Sequence, residues 1–261
     1  MRSRALLGLV VSLLLSSAAA AAPILVNEFN AVSAANFLSG TAADTTLGRV
    51  QGNGGDWVEL VVIQDHLDLR GGSLSIDEGN VPGRTTTVLT FTQDTLWSDL
   101  RSGTIITVAE DILNDTSYNP TSGLGQDWWI NVQATTNGPT QFITASNFSV
   151  SNDNTQISVL DALNQIWFGP AGEGVQPATG VGSNEVWKLE ADPSASITPL
   201  ANYMDGSSSS FAAPNVWNGG ANSQSFAALR SVVTPEPVAA TLIGVGVGVA
   251  FLVTARARRG A

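Results

Sequence analysis

The chain has no cysteine, one histidine, and eleven Lys and Arg residues against 22 Asp and Glu in a length of 261. Each shortage closes off some chemistry. Without cysteine there is no disulfide and no thiolate, so the core must be held by packing alone. With His66 as the single histidine, zinc has no set of its usual ligands. Any Ser-His-Asp site would have to use His66, which reads as an exposed loop residue in Gln64-Asp65-His66-Leu67-Asp68. No serine sits in a Gly-x-Ser-x-Gly elbow. Positive charge is scarcest in the middle: five basic residues and Glu236 lie in the terminal segments, so residues 23–234 carry six basic against 21 acidic side chains, a formal charge of −15. Such a surface has no basic patch to displace counterions, and nucleic acid is excluded as a partner. Long runs of 3.6-residue apolar periodicity are missing as well, as is any repeat of fixed period.

The two ends read as sorting signals. Arg2 and Arg4, the apolar run Ala5–Leu15 and the small residues Ser16–Ala22 make a secretory signal peptide. Ala18-Ala19-Ala20 and Ala20-Ala21-Ala22 both fit the cleavage pattern; cleavage after Ala20 is favoured, because the other site leaves Pro23 at the new terminus. At the other end, Thr234-Pro235-Glu236-Pro237 precedes an uncharged stretch, 238–255, and a basic end, 256–261, with Arg256, Arg258 and Arg259. Eighteen residues at about 1.5 Å each form a helix of roughly 27 Å, close to the ~30 Å hydrocarbon core of a bilayer. The terminal arginines hold that end on the cytoplasmic side. Motif, span and basic end in this order resemble the PEP-CTERM tail of Gram-negative surface proteins. That resemblance implies recognition by an exosortase at Pro235, Glu236 and Pro237. It also implies transient residence in the inner membrane, delivery to the cell surface or matrix, and an envelope rich in exopolysaccharide.

Between the signals, Gly, Ser, Thr and Asn alternate with short apolar runs. Strands are expected at Ile24–Phe29, Trp57–Ile63, Ser73–Ile76, Thr85–Phe91, Thr104–Val108, Trp128–Val132, Gln156–Leu160, Gln165–Phe168 and Glu185–Leu189. Thr95–Leu100 reads as a helical turn and Asp161–Asn164 as a hairpin. Pro193–Gly220 reads as mostly loop, followed by a last apolar segment, Phe226–Leu229, and a linker over 231–237. Many short strands at this spacing make residues 23–230 one all-β sandwich domain.

Three patches carry a second resemblance: Leu25-Val26-Asn27-Glu28-Phe29-Asn30, Asp56-Trp57-Val58-Glu59-Leu60, and Leu67-Asp68-Leu69-Arg70-Gly71-Gly72-Ser73-Leu74. Together they look like the opening of a lamin-tail domain, an immunoglobulin-like β-sandwich that serves mainly as a binding or structural module. Pro214-Asn215-Val216-Trp217-Asn218 is similar to the family's closing Pro-Gly-x-x-Asn, with asparagine in the glycine position, where it would keep a positive φ. The long segment between Asn30 and Asp56 departs from the pattern.

Glu28 and Glu59 fall inside apolar runs, where bare charge is costly, and are expected to accept backbone or Trp N–H bonds that fix register. A shared cation or a catalytic pair is the functional alternative. Asp56, Glu59, Asp127 and Glu185 stand within two positions of a tryptophan, a neighbourhood also found in sugar clefts. Oxygen donors at Asn152-Asp153-Asn154, Asp77-Glu78 and Glu110-Asp111 make calcium possible without forming an EF-hand. All seven tryptophans lie between the signals. Adjacent strand residues face opposite sides, so one of Trp128 and Trp129 should enter the core while the other faces solvent or a covering loop. Trp217 sits in loop-like sequence. Trp128, Trp129 and Trp217 are therefore the candidate ligand platforms. The expectation is an exported binding or structural protein of the cell surface or matrix, with no catalytic residue, no metal ligand and no cofactor unless calcium. The competing readings are a secreted hydrolase of polysaccharide or phosphoesters and a calcium-dependent carbohydrate binder.

Overall fold

Short runs rich in Val, Ile, Thr and aromatics form thirteen strands in the computed structural model, which describes residues 21–231 apart from position 81 and segments 121–124, 136–140, 145–148 and 174–179. The expected signal peptide (1–20), most of the linker with its Pro-Glu-Pro motif, the span and the basic end lie outside the described residues. Among the described residues no helix is long and apolar enough to cross a membrane.

The strands are β1 (Ile24–Asn30), β2 (Trp57–Val62), β3 (Ser73–Glu78), β4 (Thr85–Phe91), β5 (Ile105–Ala109), β6 (Trp129–Gln133) and β7 (Ile143–Thr144). They continue with β8 (Gln156–Leu160), β9 (Ile166–Gly172), β10 (Val186–Leu189), β11 (Tyr203–Gly206), β12 (Val216–Trp217) and β13 (Asn222–Ser223). A single short helix, α1 (Ala227–Arg230), closes the described chain. One sheet has the order β11-β10-β1-β2-β5-β6 and the other β7-β4-β3-β8-β9, while β12 and β13 pair by themselves. Pairing is antiparallel except between β5 and β6. Leu60, Ile106, Val108 and Phe29 of the first sheet share one apolar core with Leu74, Leu89, Val159 and Phe168 of the second. The chain is thus all-β, with two sheets packed face to face.

Every residue of β1 and β2 is buried. Such strands need cover on both faces, and here the second sheet lies on one side while Trp57 and Ala109 meet Phe211 on the other. We call the segment Ser207–Val216 the strap, because it crosses that outer face.

Nine expected strands are present, with ends shifted by a residue or two and β9 extended to Gly172. The hairpin at Asp161–Asn164 forms as read: Asp161 Oδ1 accepts the N–H groups of Leu163 and Gln165, and Asn164 takes a positive φ. The expected helical turn is one 3₁₀ turn, Thr95–Trp97, capped by Asp94. The loop expected over Pro193–Gly220 carries β11 and β12. β11 is an edge strand that buries only Tyr203, whose ring stacks on Trp187 at 4.2 Å and whose hydroxyl donates to the Val26 carbonyl. One inward side chain is too little alternation to stand out in sequence.

At Gly172, φ is +139°, and a Cβ would stand 2.2 Å from the Thr155 carbonyl oxygen across the β8–β9 pair. Gly172→Ala should therefore lower stability by about 2 kcal/mol. Gly125→Ala, where nothing among the described residues lies within 4 Å, should cost less. Denaturant midpoints of the two variants decide it, and equal shifts would contradict the contact.

Candidate functional site

A β-bulge builds the most polar region of the interior. Val26 pairs with Leu60 but Glu28 pairs with Glu59, so Asn27 is the extra residue that turns Glu28 onto the face of Glu59. Register then continues across the sheet: Lys188 of β10 opposes Glu28, Glu59 opposes Thr107 of β5, and Thr107 opposes Asn131 of β6. All five are essentially inaccessible to solvent. They form a polar row that bonds to the strap at Lys188, Glu28 and Glu59 and to the Ile112 and Leu113 carbonyls at Asn131.

The row is bonded mainly to the chain that covers it. Glu59 accepts the Asn27 side-chain amide at 2.7 Å and the Ala212 N–H at 2.8 Å. Glu28 accepts the Ser210 N–H at 3.3 Å, and its second oxygen has no partner among the described residues. Lys188 Nζ donates to the Ser208 carbonyl at 2.6 Å. Asp44, also buried, caps the strap from outside by accepting from Ser209 Oγ and Phe211 N, and its other oxygen takes the Thr46 and Leu47 N–H groups. Asn215 anchors the strap's end by donating to the Asn27 and Leu189 carbonyls, each at 3.0 Å. Gln224 braces Asn215 from behind, accepting its N–H and donating to Asn27 Oδ1. Asn215 does not hold the expected positive φ; that conformation falls on Asn218 and Ala212. Its amide, rather than its backbone, is what the position uses.

Three carboxyls and one ammonium in so dry a place cannot all be charged without cost. Burial, only partly offset by Lys188, pushes Glu28 up to about 8, so it carries its proton at neutral pH. Burial and then the neighbouring Glu28 push Glu59 well above the usual carboxylate range. The pair therefore braces register as a largely protonated couple, and in this closed arrangement neither carboxyl meets an external substrate.

The tryptophans are dispersed. Trp57, Trp97 and Trp187 are buried, while Trp128, Trp129, Trp167 and Trp217 are partly exposed. Trp129 lies edge-on to Phe211 under the strap and donates to Thr107 Oγ1 at 2.9 Å. Trp128, just before β6, lies under the Arg230 guanidinium at 4.9 Å, and Phe226 sits against the same group at 5.1 Å. Trp217 pairs within the small β12–β13 ribbon. The candidate platforms Trp128, Trp129 and Trp217 thus have separate surroundings and are not gathered into one cleft.

Elsewhere the acids serve local turns. Asp77 accepts from Thr86, Asp153 from the Asn80 side chain, and Glu78 from Ser149 and Thr155. Asp56 is raised to about 6 by burial and by the nearby Glu110, Glu78 and Asp111. Among the described residues no group of three or more His, Asp and Glu side chains is arranged to hold a metal ion. His66 is an exposed loop residue with a positive φ, its Nδ1 2.7 Å from Asp99 Oδ1.

The two ends of the described chain meet at one pole. Pro23, before β1, accepts from Ile63 and Gln64 at the end of β2. Gly103, before β5, donates to Val62 and accepts two bonds from the Arg230 guanidinium. Ser102 Oγ donates to the Leu229 carbonyl. The opposite pole, roughly 23 Å away along the seven residues of β1, is built by residues 31–55 and 182–185. The sequence carries no local signal for this layout or for the strap: the composition of 207–216 is that of an ordinary surface loop. Comparison of the chain with family models, curated proteins and solved structures found no match.

Proposed function

We propose that this chain is an exported binding or structural module of the cell surface or extracellular matrix, delivered by an exosortase that reads Pro235, Glu236 and Pro237. In this reading its sandwich is an immunoglobulin-like domain of the lamin-tail kind, and its partner is exopolysaccharide or another envelope component. The observation that carries the reading is the shared pole of the chain ends. A domain held by a C-terminal tail presents whatever lies farthest from that tail, and here the N-terminal end does not obstruct the far pole. The sealing of Glu28 and Glu59 beneath the strap supports a binding role over a hydrolytic one.

The test is fractionation of cells expressing Glu236→Ala with the apolar stretch unchanged. The variant should accumulate in the inner membrane while the parent chain reaches the surface or medium. Identical distributions would reduce the tail to a plain anchor and remove the exosortase from the account.

A further inference from the structure

The far pole carries a groove of about 400 Å³ lined by Asn36, Phe37, Ser39, Arg49, Ser183 and Asn184 among others. Its floor is fixed. Asn36 donates to the Ser183 carbonyl and hydroxyl, Ser39 N–H donates to the Asn184 carbonyl, and Leu38 packs beneath with Val32 and Val186. Phe37 stays 41% exposed, with the Arg49 guanidinium stacked 5.1 Å from its ring centre.

Arg49 is unusual in this molecule. The described domain has six basic side chains. Arg70 and Arg101 are bonded to Asp68 and Asp65, Lys188 is buried beside Glu190, Arg230 is held by Gly103 and Trp128, and Arg84 is partly buried. Arg49 is exposed and forms no ion pair among the described residues, although acidic side chains outnumber basic ones throughout. Among the described residues only its Nη1 is hydrogen-bonded, with the Leu38 and Ala42 carbonyls at 3.1 and 2.7 Å. The remaining fork of donors is positioned on a rigid rim, where a carboxylate takes two parallel bonds. Beside it stand an aromatic ring for the C–H face of a sugar and amides and hydroxyls for its ring substituents.

From this juxtaposition we infer that the groove is a binding site for a carboxylated sugar residue, a uronate, within a polysaccharide. The inference rests on the surface-binding reading above and deepens it by naming the ligand class and the residues. Arg49 binds the carboxylate, Phe37 carries the pyranose face, and Asn36 and Asn184 select hydroxyls. The surrounding acidic surface limits affinity for long polyanions and confines recognition to this one cationic point.

The experiment titrates the full chain, purified in detergent, with a short oligogalacturonate and with a cello-oligosaccharide of equal length as the neutral probe. The oligogalacturonate should bind at least about tenfold more tightly, and raising NaCl from about 0.05 M to about 0.5 M should weaken it. Arg49→Gln should lose about tenfold in affinity. Because Arg49 also braces Leu38 and Ala42, Asn184→Asp is the second variant. It adds a like charge, removes no side-chain hydrogen bond among the described residues, and should lose a similar factor with an unchanged melting midpoint. Equal binding of the neutral probe, undiminished binding by both variants, or no binding of oligogalacturonate at millimolar concentration would each overturn the site. If oligogalacturonate failed while exopolysaccharide from the native envelope still retained the chain, the uronate site would fall and the surface-binding reading would stand. Loss of both would remove both.

Discussion

Raising the pH from about 5 to about 9 should lower the unfolding free energy of the domain by on the order of 4 kcal/mol, against the usual direction of acid denaturation. An unfolded glutamate releases its proton near 4.5, whereas Glu28 holds its proton to about 8 when folded. Between those values the folded state binds a proton that the unfolded state has lost, so the equilibrium moves toward unfolding as pH rises. This stabilisation is complete below the unfolded value and gone once pH passes the folded one. Glu59 shifts in the same direction, as does Asp56 at about 6. Asp65 opposes them: despite partial burial it is lowered by the bonded Arg101 guanidinium, and Asp68 is lowered by Arg70. Those two weaken the fold only in stronger acid, which leaves the maximum on the mildly acidic side. Urea unfolding at a series of pH values gives the slope directly. Glu28→Gln keeps the shape and abolishes the titration, so it should flatten the profile and gain most at pH 9. A parent profile already level across this range would sink the protonated-couple account.

Asn215→Ala should cost about 3 kcal/mol, more than a typical surface-loop change, because it strips partners from several buried groups together. The Asn27 and Leu189 carbonyls lose donors, and the Asn27 amide loses its contact at 3.3 Å with Asn215 Oδ1. The end of the strap is then held by the two bonds between the Asn215 backbone and Gln224, by the Val216 N–H on Ser210 Oγ and by the β12–β13 pairing. Asn215→Asp should be worse above neutral pH, since it exchanges two donors for a buried charge near Glu59. Chemical denaturation of the two variants measures both effects; a loss below about 1 kcal/mol for the alanine variant would mean that the amide is dispensable.

Much of the fold was legible where the chain repeats a simple pattern. Ile24–Asn30 and Trp57–Val62 are continuous apolar runs, and continuous runs become strands covered on both sides. The burial of Glu28 and Glu59 followed from the same runs. What covers them was not legible, because Ser207–Val216 owes its position to the Ser209–Asp44 and Asn215–Asn27 bonds, whose partners stand 165 and 188 residues apart, separations that no local window samples. The bulge at Asn27 was hidden for a related reason: an extra residue is visible only against the partner strand. The tryptophans were read by type and not by surroundings. Trp128 meets Arg230 from the far end of the chain, a pairing that neither neighbourhood announces. The distal groove is not legible in sequence, because residues 31–55 show only as a departure from the lamin-tail-like pattern.

The meeting of the chain ends at one pole also sets a mechanical property. A pull arriving through the C-terminal tail enters the body at Arg230 and Gly103, beside the start of β5. If resistance comes from a ligand at the far pole, tension runs lengthwise along β1, β2 and β5. Ladder bonds lie across that direction, so each strand pair is loaded in shear, with several hydrogen bonds sharing the force at once. Peeling, in which bonds fail one after another, is the weaker geometry, and this arrangement avoids it. With the tail anchored and the tip held, as proposed above, the two sheets would carry load between them as a link in series.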